Sequence, residues 1–390
     1  MRRSVSCVLV AACLYGCQHE DRRPERVADD PAPSEEFRFS RPPVPGVAPA
    51  LTPLIGQLQL PDSVRVFRME LPSAIAASAE LCLLAVGDPA DRAVHLYDLP
   101  TFRYVRSLRP RDVNAFGGIT SVAIDPSRGH VLVADLRGGD LWRFALSGEL
   151  LSNATLPPPP GVPGGLGSQI VIAPDGRVFE TWFALERSTP SADWGPDLPL
   201  IRQIDDSYAV AASYGGIRPY RGQVLTASVN RGLIAVIGDT VWFARRSDAT
   251  LMAFDATRPG VHPVRSVRLP IFFVSVPRES AGPWRHPVVD EHIRAFAVDG
   301  GGRFYLGQVI SWPTDTMSLH RPKTMALTVV SRTGERIAAY DLGSEILDLA
   351  VVEPLVIAVL RGEEPGKRLV RVYHLTTAVG GVDRRGACGR

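Results

Sequence analysis

The feature that most constrains this chain is a motif that recurs six times along it. Each copy starts with an apolar run of about five residues, turns tightly, often at Asp-Gly or Asp-Pro, and continues with further apolar runs. Apolar residues alternate within the runs with a period of two, which is typical of β-strands. The copies are spaced roughly 44 to 63 residues apart, and their first strands begin near Ile75, Ile119, Ile170, Leu233, Ile293 and Ile346.

Four antiparallel strands per copy, repeated around an axis, are the pattern of a β-propeller. Propeller repeats usually span about 40 to 50 residues, and the excess length here falls in four insertions, at 157–167, 188–199, 275–290 and 311–323. We therefore predict an all-β, six-bladed propeller of four-stranded antiparallel blades over residues 61–376. A seven-bladed ring, in which one insertion contributes a blade, is the alternative.

The last copy contains only three strand-like runs, ending with LVRVYHL. A further run, Ser63–Leu71, precedes the first copy and can supply the missing fourth strand. Such a pairing would place both ends of the domain in one blade and remove two exposed strand edges. We predict that the ring closes in this way.

One copy carries a more specific pattern, IDPSRGHVLVADLRGGDLWRFALSGELL. It resembles an NHL-type repeat, in which an Asp/Gly turn leads to a strand ending in Val-Ala-Asp and then to an aromatic strand end followed by Gly. The resemblance implies the broad group of bacterial six-bladed, NHL-like or TolB-like propellers, which includes binding scaffolds, lactonases and lyases. The matching positions are Asp125, Gly129, Ala134, Asp135, Phe144 and Gly148.

The N-terminus has the layout of an export signal. Arg2 and Arg3 precede a short apolar run, Val5–Leu14, which is too short for a permanent membrane span. The following Leu14-Tyr15-Gly16-Cys17 resembles the lipobox of bacterial lipoproteins, although Tyr15 departs from the usual small residue. The resemblance implies that residues 1–16 are a lipoprotein signal peptide and that Cys17 is the lipid attachment site; a plain signal peptide is the alternative.

Residues 17–60 are rich in proline and charge, a composition that predicts a flexible tether. We expect an exported protein anchored by lipid to the bacterial cell envelope. Gln18 rather than Asp follows the cysteine, so by the same resemblance the outer membrane is favoured over the inner one. Residues 377–390 are predicted to be a disordered tail.

The remaining composition excludes several classes of protein. A net charge of +2 gives no global field that would favour nucleic acid as a partner. No CxxC motif or zinc-ligand spacing occurs, so no cofactor is predicted from cysteine. Cys82, in the strand-like run LCLLAV, is interpreted as a buried free thiol, with a bridge to Cys388 as the alternative.

The candidate site follows from the predicted fold. The loops that lead into the innermost strands of a propeller lie around one mouth of the central channel. These loops would carry either a polar ligand-binding pocket or simply a solvent-filled opening, and the predicted residues are Gln169, Asn230, Arg231, Glu291, His292 and Glu345.

Three functions remain open at this point. The first is a binding module for an envelope protein or a small-molecule ligand. The second is a gluconolactonase-like, metal-dependent hydrolase or lyase, with a divalent cation held by Glu291, Asn230 and Glu345. The third is a scaffold subunit of an envelope complex. The chain has no Gly-x-Ser-x-Gly motif and no serine tied to a histidine by a recognisable context, which disfavours an enzyme.

Overall fold

The structure is a computed structural model, and almost all of its described residues lie in strands or in the turns between them. It describes residues 73–99, 101–110, 116, 118–135, 139–158, 165–184, 198–217, 229–269, 278–279, 287–288, 291–311, 324–362 and 367–374.

The strands form six antiparallel sheets in chain order, each a blade whose first strand is innermost. The first blade contains β1 (Ala74–Ser78), β2 (Leu83–Asp88), β3 (Ala93–Asp98) and β4 (Tyr104–Leu108). The second contains β5 (Ile119–Asp125), β6 (His130–Asp135), β7 (Asp140–Ala145) and β8 (Leu150–Thr155). The third contains β9 (Gly165–Ile172), β10 (Val178–Ala184), β11 (Pro199–Ile204) and β12 (Val210–Gly216). The fourth blade contains β13 (Gly232–Ile237), β14 (Thr240–Arg245), β15 (Thr250–Asp255) and β16 (Arg265–Arg268).

A short ribbon precedes the last two blades. It consists of β17 (Arg278–Glu279) paired with β18 (Pro287–Val288), so the insertion at 275–290 is not simply a loop. The fifth blade contains β19 (Ile293–Val298), β20 (Phe304–Ser311), β21 (Thr324–Val330) and β22 (Arg336–Tyr340). The sixth contains β23 (Ile346–Val352), β24 (Leu355–Arg361) and β25 (Arg368–His374).

The six innermost strands contact one another in a closed cycle, β1–β5–β9–β13–β19–β23 and back to β1. This cycle confirms the six-bladed propeller over the seven-bladed alternative. The sixth blade has three strands in the described part of the chain. Ser63–Leu71 lies outside the described residues, so closure by a fourth strand from this segment stays a prediction.

Apolar side chains between neighbouring blades form the core. Between blades 3 and 4, for example, the buried aromatic rings of Phe179, Tyr214, Phe243 and Phe254 pack together. The first residue of β13, Gly232, lies under the Phe243 ring, and a Cβ atom there would be 2.0 Å from Phe243 Cζ. Glycine is therefore required at this position by the close approach of the ring.

Cys82 departs from the sequence-based interpretation. It lies in the turn between β1 and β2 with φ of 50°, it is half-buried, and its thiol is free. The prediction of a buried thiol within a strand was wrong, because β2 begins one residue later, at Leu83. Cys388 lies outside the described residues. Among the described residues there is no helix long and apolar enough to cross a membrane.

Candidate functional site at the channel mouth

The six innermost strands enclose a central cavity of about 290 Å³. The first residues of these strands lie at the same end of the ring, because each inner strand is the first of its blade. We call this end the mouth. Polar side chains line the cavity among apolar ones, and they are Ser73, Thr120, Ser121, Gln169, Arg246, Arg294 and Asp348.

At the mouth, the carboxylate of Glu291 binds three guanidinium groups. Its Oε1 lies 3.3 Å from Arg231 Nη1 and 3.0 Å from Arg246 Nη1, and its Oε2 lies 3.2 Å from Arg294 Nε. Arg246 Nη2 also donates to the backbone carbonyl of Arg294, at 3.0 Å. Blades 4 and 5 are therefore joined through one carboxylate that is only 13% exposed.

Glu345 continues this network into blade 6. Its side chain is 1% exposed, with Oε1 3.0 Å from Arg294 Nη1 and Oε2 2.7 Å from Arg361 Nε. Arg294 thus lies between two carboxylates. We define the mouth cluster as four arginines and two glutamates: Arg231, Arg246, Arg294, Arg361, Glu291 and Glu345. Its guanidinium groups outnumber its carboxylates.

A β-bulge directs Arg294 toward the channel. The pairing of β19 with β20 shifts register between Ile293 and Ala295, so the arginine between them has no directly opposite partner. Similar shifts flank Thr120 in β5 and Leu347 in β23, and all three bulged residues line the cavity. Bulges commonly re-aim a side chain in this way.

Asp348 lies in the channel wall at the seam between blades 6 and 1. Its Oδ2 accepts a hydrogen bond from the Ile75 backbone N–H at 2.9 Å, and its Oδ1 accepts one from Leu349 N–H at 2.9 Å. Burial raises the pKa of this carboxyl to about 6, while the two backbone donors and the charge of Arg246 act in the opposite direction. Asp348 is therefore a closing contact of the ring and a titratable group in the cavity.

Other inner-strand side chains also bond to the next blade. Ser73 Oγ donates to the carbonyl of Ile119 at 2.8 Å, and Ser121 Oγ accepts from Ile170 N–H at 3.0 Å. Gln169 Oε1 accepts from Ile234 N–H at 2.7 Å. These bonds hold the polar lining of the cavity in fixed positions.

The structure places the sequence-predicted site residues in three settings. Arg231, Glu291 and Glu345 meet in the mouth cluster. Gln169 lines the cavity, but it lies within β9 and not in the loop before it, because the strand begins earlier, at Gly165. Asn230 and His292 are buried. Burial lowers the pKa of His292 to about 4, so its imidazole is neutral at pH 7, and its backbone N–H donates to the Arg246 carbonyl at 2.6 Å.

Four further residues of the site were not predicted from the sequence: Arg246, Arg294, Arg361 and Asp348. Arg246 follows β14, and Arg361 ends β24, so both reach the mouth from the second strand of a blade rather than from the loop into the first. In an antiparallel blade the second strand ends where the first begins, and including the residues that follow the second strands would have found Arg246. A bulge such as that at Arg294 leaves no signal in the alternation of apolar residues.

The proposed metal-ligand set does not have the arrangement of a metal site. Glu291 and Glu345 bind guanidinium groups, which offer N–H donors where a cation would need lone pairs. Within the part of the chain that the structure describes, no group of three or more His, Cys, Asp or Glu side chains is placed to share a metal ion.

A second polar network lies on the outer strands of blade 1, away from the channel. Ser107 Oγ is 2.8 Å from His95 Nδ1 and 2.9 Å from the Tyr104 hydroxyl, and His95 Nε2 is 3.0 Å from Asp91 Oδ2. Nothing in the sequence pattern predicts a link between this serine and this histidine. His95 and Ser107 are direct partners in the β3–β4 register, and the network fastens the edge strand to its neighbour.

Comparisons with known proteins add little to this description. No protein-family model and no curated protein matches the chain. Among solved structures, it is similar to the β-propeller domain of Cps50 (Swd1) from Myceliophteria thermophila, with 13% identity and a TM-score of 0.47 over 82% of this chain and 100% of that one. It is also similar to the hydrazine synthase of Kuenenia stuttgartiensis, with 12% identity and a TM-score of 0.45 over 77% of this chain and 79% of that one. Likeness at this level carries no argument about function. The NHL resemblance stays a prediction.

Proposed function

We propose that this protein is a binding module that is displayed from the bacterial cell envelope by a lipid on Cys17 and receives its ligand at the channel mouth. One observation supports the binding function above all others. Three blades contribute to one charged cluster at the mouth of a polar cavity, and buried or partly buried carboxylates fix its arginines. Concave sites with a few fixed polar groups are the usual form of small-molecule sites.

The fixed geometry favours binding over a purely structural role for these arginines. A guanidinium that is already held by a carboxylate loses less conformational freedom when a ligand arrives, so more of the interaction energy appears as affinity. Arginine also offers five N–H donors in a planar fork, so one carboxylate contact does not exhaust it. The mouth cluster is therefore suited to hold a ligand while remaining intact.

The anchor rests on the sequence. Cys17 follows a basic and apolar leader in a lipobox-like context, and residues 17–60 have the composition of a tether. A single acyl chain binds membranes only marginally, whereas several chains at one terminus anchor firmly. On this account the tether holds the propeller at the surface of the envelope and leaves the mouth open to ligands.

The anchor is tested by labelling cells that express the full chain with an alkyne analogue of palmitate. We expect the wild-type protein to be labelled and to sediment with membranes, and Cys17→Ser to lose both properties. Cys82→Ser is the matched control, because it removes a half-buried free thiol of the propeller and should leave labelling unchanged. Undiminished labelling of the Cys17→Ser protein would contradict the proposal.

A further inference from the structure

We infer that the ligand of the mouth is a small hydroxylated anion, with a carboxylate or phosphate group bound by Arg246 and Arg294 and hydroxyl groups bound by other polar side chains of the cavity. This inference rests on the proposed binding function and gives it a chemical class.

The charge of the site selects the anion. Arg246 and Arg294 both line the cavity, and both are held by the same carboxylate, Glu291. Four guanidinium groups face two carboxylates in the mouth cluster, and when Asp348 in the channel wall is included the described site has four arginines and three acidic side chains. Hydrogen bonds between guanidinium and carboxylate or phosphate are among the strongest that proteins form, and a low-dielectric cavity strengthens them further.

The position of the two arginines is determined before any ligand arrives. Arg246 is tied to the Arg294 backbone as well as to Glu291, and Arg294 is bound by Glu345 on its other side. Their side chains are 17% and 25% exposed, so they are neither fully in solvent nor closed off from the cavity. Both guanidinium groups are thus fixed at the boundary between the mouth and the channel.

The other polar groups of the cavity are suited to hydroxyls. The carboxyl of Asp348 can accept hydrogen bonds, and so can the oxygen of the Thr120 hydroxyl, which donates its own proton to the Ala134 carbonyl at 3.3 Å. Because Gln169 Oε1 accepts from Ile234 N–H, the amide nitrogen of Gln169 is the group that can donate to a ligand. A cavity of about 290 Å³ lies near the lower limit for small-molecule sites, which favours a compact compound such as a sugar acid or sugar phosphate.

The test is calorimetric titration of the full chain, purified in a non-ionic detergent. The first two probes, D-galacturonate and D-galactose, differ in the carboxylate. The other two, glucose 6-phosphate and inorganic phosphate, separate recognition of a phosphate from recognition of a carboxylate. We expect at least one hydroxylated anion to bind and galactose not to bind. Arg294→Gln should weaken binding by about tenfold or more, since it removes one charge-assisted contact.

Arg258→Gln is the matched control, because this arginine is 87% exposed and follows β15 at the opposite end of the ring. The Arg258→Gln protein should bind the anions with the affinity of the wild type. If Arg294→Gln proves unfolded by circular dichroism, the Asp348→Asn variant provides the second readout: it should weaken binding of galacturonate more than binding of inorganic phosphate, which has no sugar hydroxyls.

Absence of binding by all three anions, or equal binding of galactose and galacturonate, would overturn the inference. The two proposals fail separately. If the mouth captured another ligand or partner from the envelope but bound no anion, the proposed binding function would stand. Only the inference that the ligand is an anion would then fail.

Discussion

Replacing Arg202 by methionine is expected to lower the free energy of unfolding by about 3–5 kcal/mol at pH 8, because it leaves a buried carboxylate without its counter-charge. Arg202 on β11 and Glu180 on β10 form an ion pair inside blade 3, with Nη2 and Oε2 2.9 Å apart. Their side chains are 3% and 0% exposed, so water cannot replace the lost guanidinium. Arg202 also donates to the carbonyl of Pro157, which adds to the loss.

This loss should depend on pH. Burial raises the pKa of Glu180 to about 7, although Arg202 acts to lower it. The pKa in the unfolded chain is about 4.3. Because the pKa of Glu180 is higher in the folded protein than in the unfolded chain, protonation of Glu180 favours the folded state. This contribution is fully present at pH values below the pKa in the unfolded chain, and it is lost as the pH rises through about 7. Without Arg202 the pKa rises further, so Arg202→Met should cost less at pH 5, where Glu180 is protonated, than at pH 8.

Urea unfolding at both pH values measures the effect. The double variant Glu180→Leu with Arg202→Met should recover most of the loss, because a buried ion pair is often replaced by apolar residues without cost. Arg258→Met should change stability by less than about 0.5 kcal/mol, as expected for an exposed site. Equal stabilities of Arg202→Met and Arg258→Met at pH 8 would show that the buried pair does not have the energetic role assigned to it.

Phe243→Ala is expected to destabilise the propeller by about 3–5 kcal/mol, the usual cost of removing a fully buried aromatic ring. Phe243 is 1% exposed and lies in the core that joins blades 3 and 4. Its removal would leave a cavity where two blades meet. Val264→Ala, at a side chain that is 68% exposed, is the control and should change stability by less than about 0.5 kcal/mol.

Gly232 offers a sharper test of the same packing. Gly232→Ala alone should cost about 1–3 kcal/mol through overpacking, because its Cβ would overlap the Phe243 ring. In the double variant with Phe243→Ala this overlap is absent. The double variant should therefore lose less stability than the sum of the losses in the two single variants. Additive losses, measured by urea unfolding, would mean that the ring does not lie over the glycine.

The number and order of the blades could be predicted because each blade carries its own local signals. Alternating apolar residues and Asp/Gly turns mark strands such as those beginning at Ile119, Ile293 and Ile346 without reference to the rest of the chain. The start of the third inner strand was less visible, since β9 begins at Gly165, within a run of glycine and proline. Cys82 was placed in a strand because leucines flank it on both sides, and a turn residue at positive φ gave no cue.

The candidate site could be predicted only in part, for a geometric reason. Loops into the inner strands can be located from the repeat, and three of their residues, Arg231, Glu291 and Glu345, do meet at the mouth. Their partners Arg246 and Arg294 depend on a turn after a second strand and on a bulge, and neither is encoded by the repeat. Contacts between blades exist only once the ring is closed.

Photo-crosslinking in intact envelopes can show whether this protein meets its ligand at the mouth. The photoreactive side chain is introduced as Arg231→p-benzoylphenylalanine, because Arg231 is 39% exposed and its contact with Glu291 is the longest of the three. In this variant Glu291 can still bind Arg246 and Arg294. Arg258→p-benzoylphenylalanine provides the same probe at the opposite end. We predict a specific crosslinked species from position 231 and none from position 258. Crosslinks from position 258 alone would contradict the account and place the binding surface at the other end of the ring.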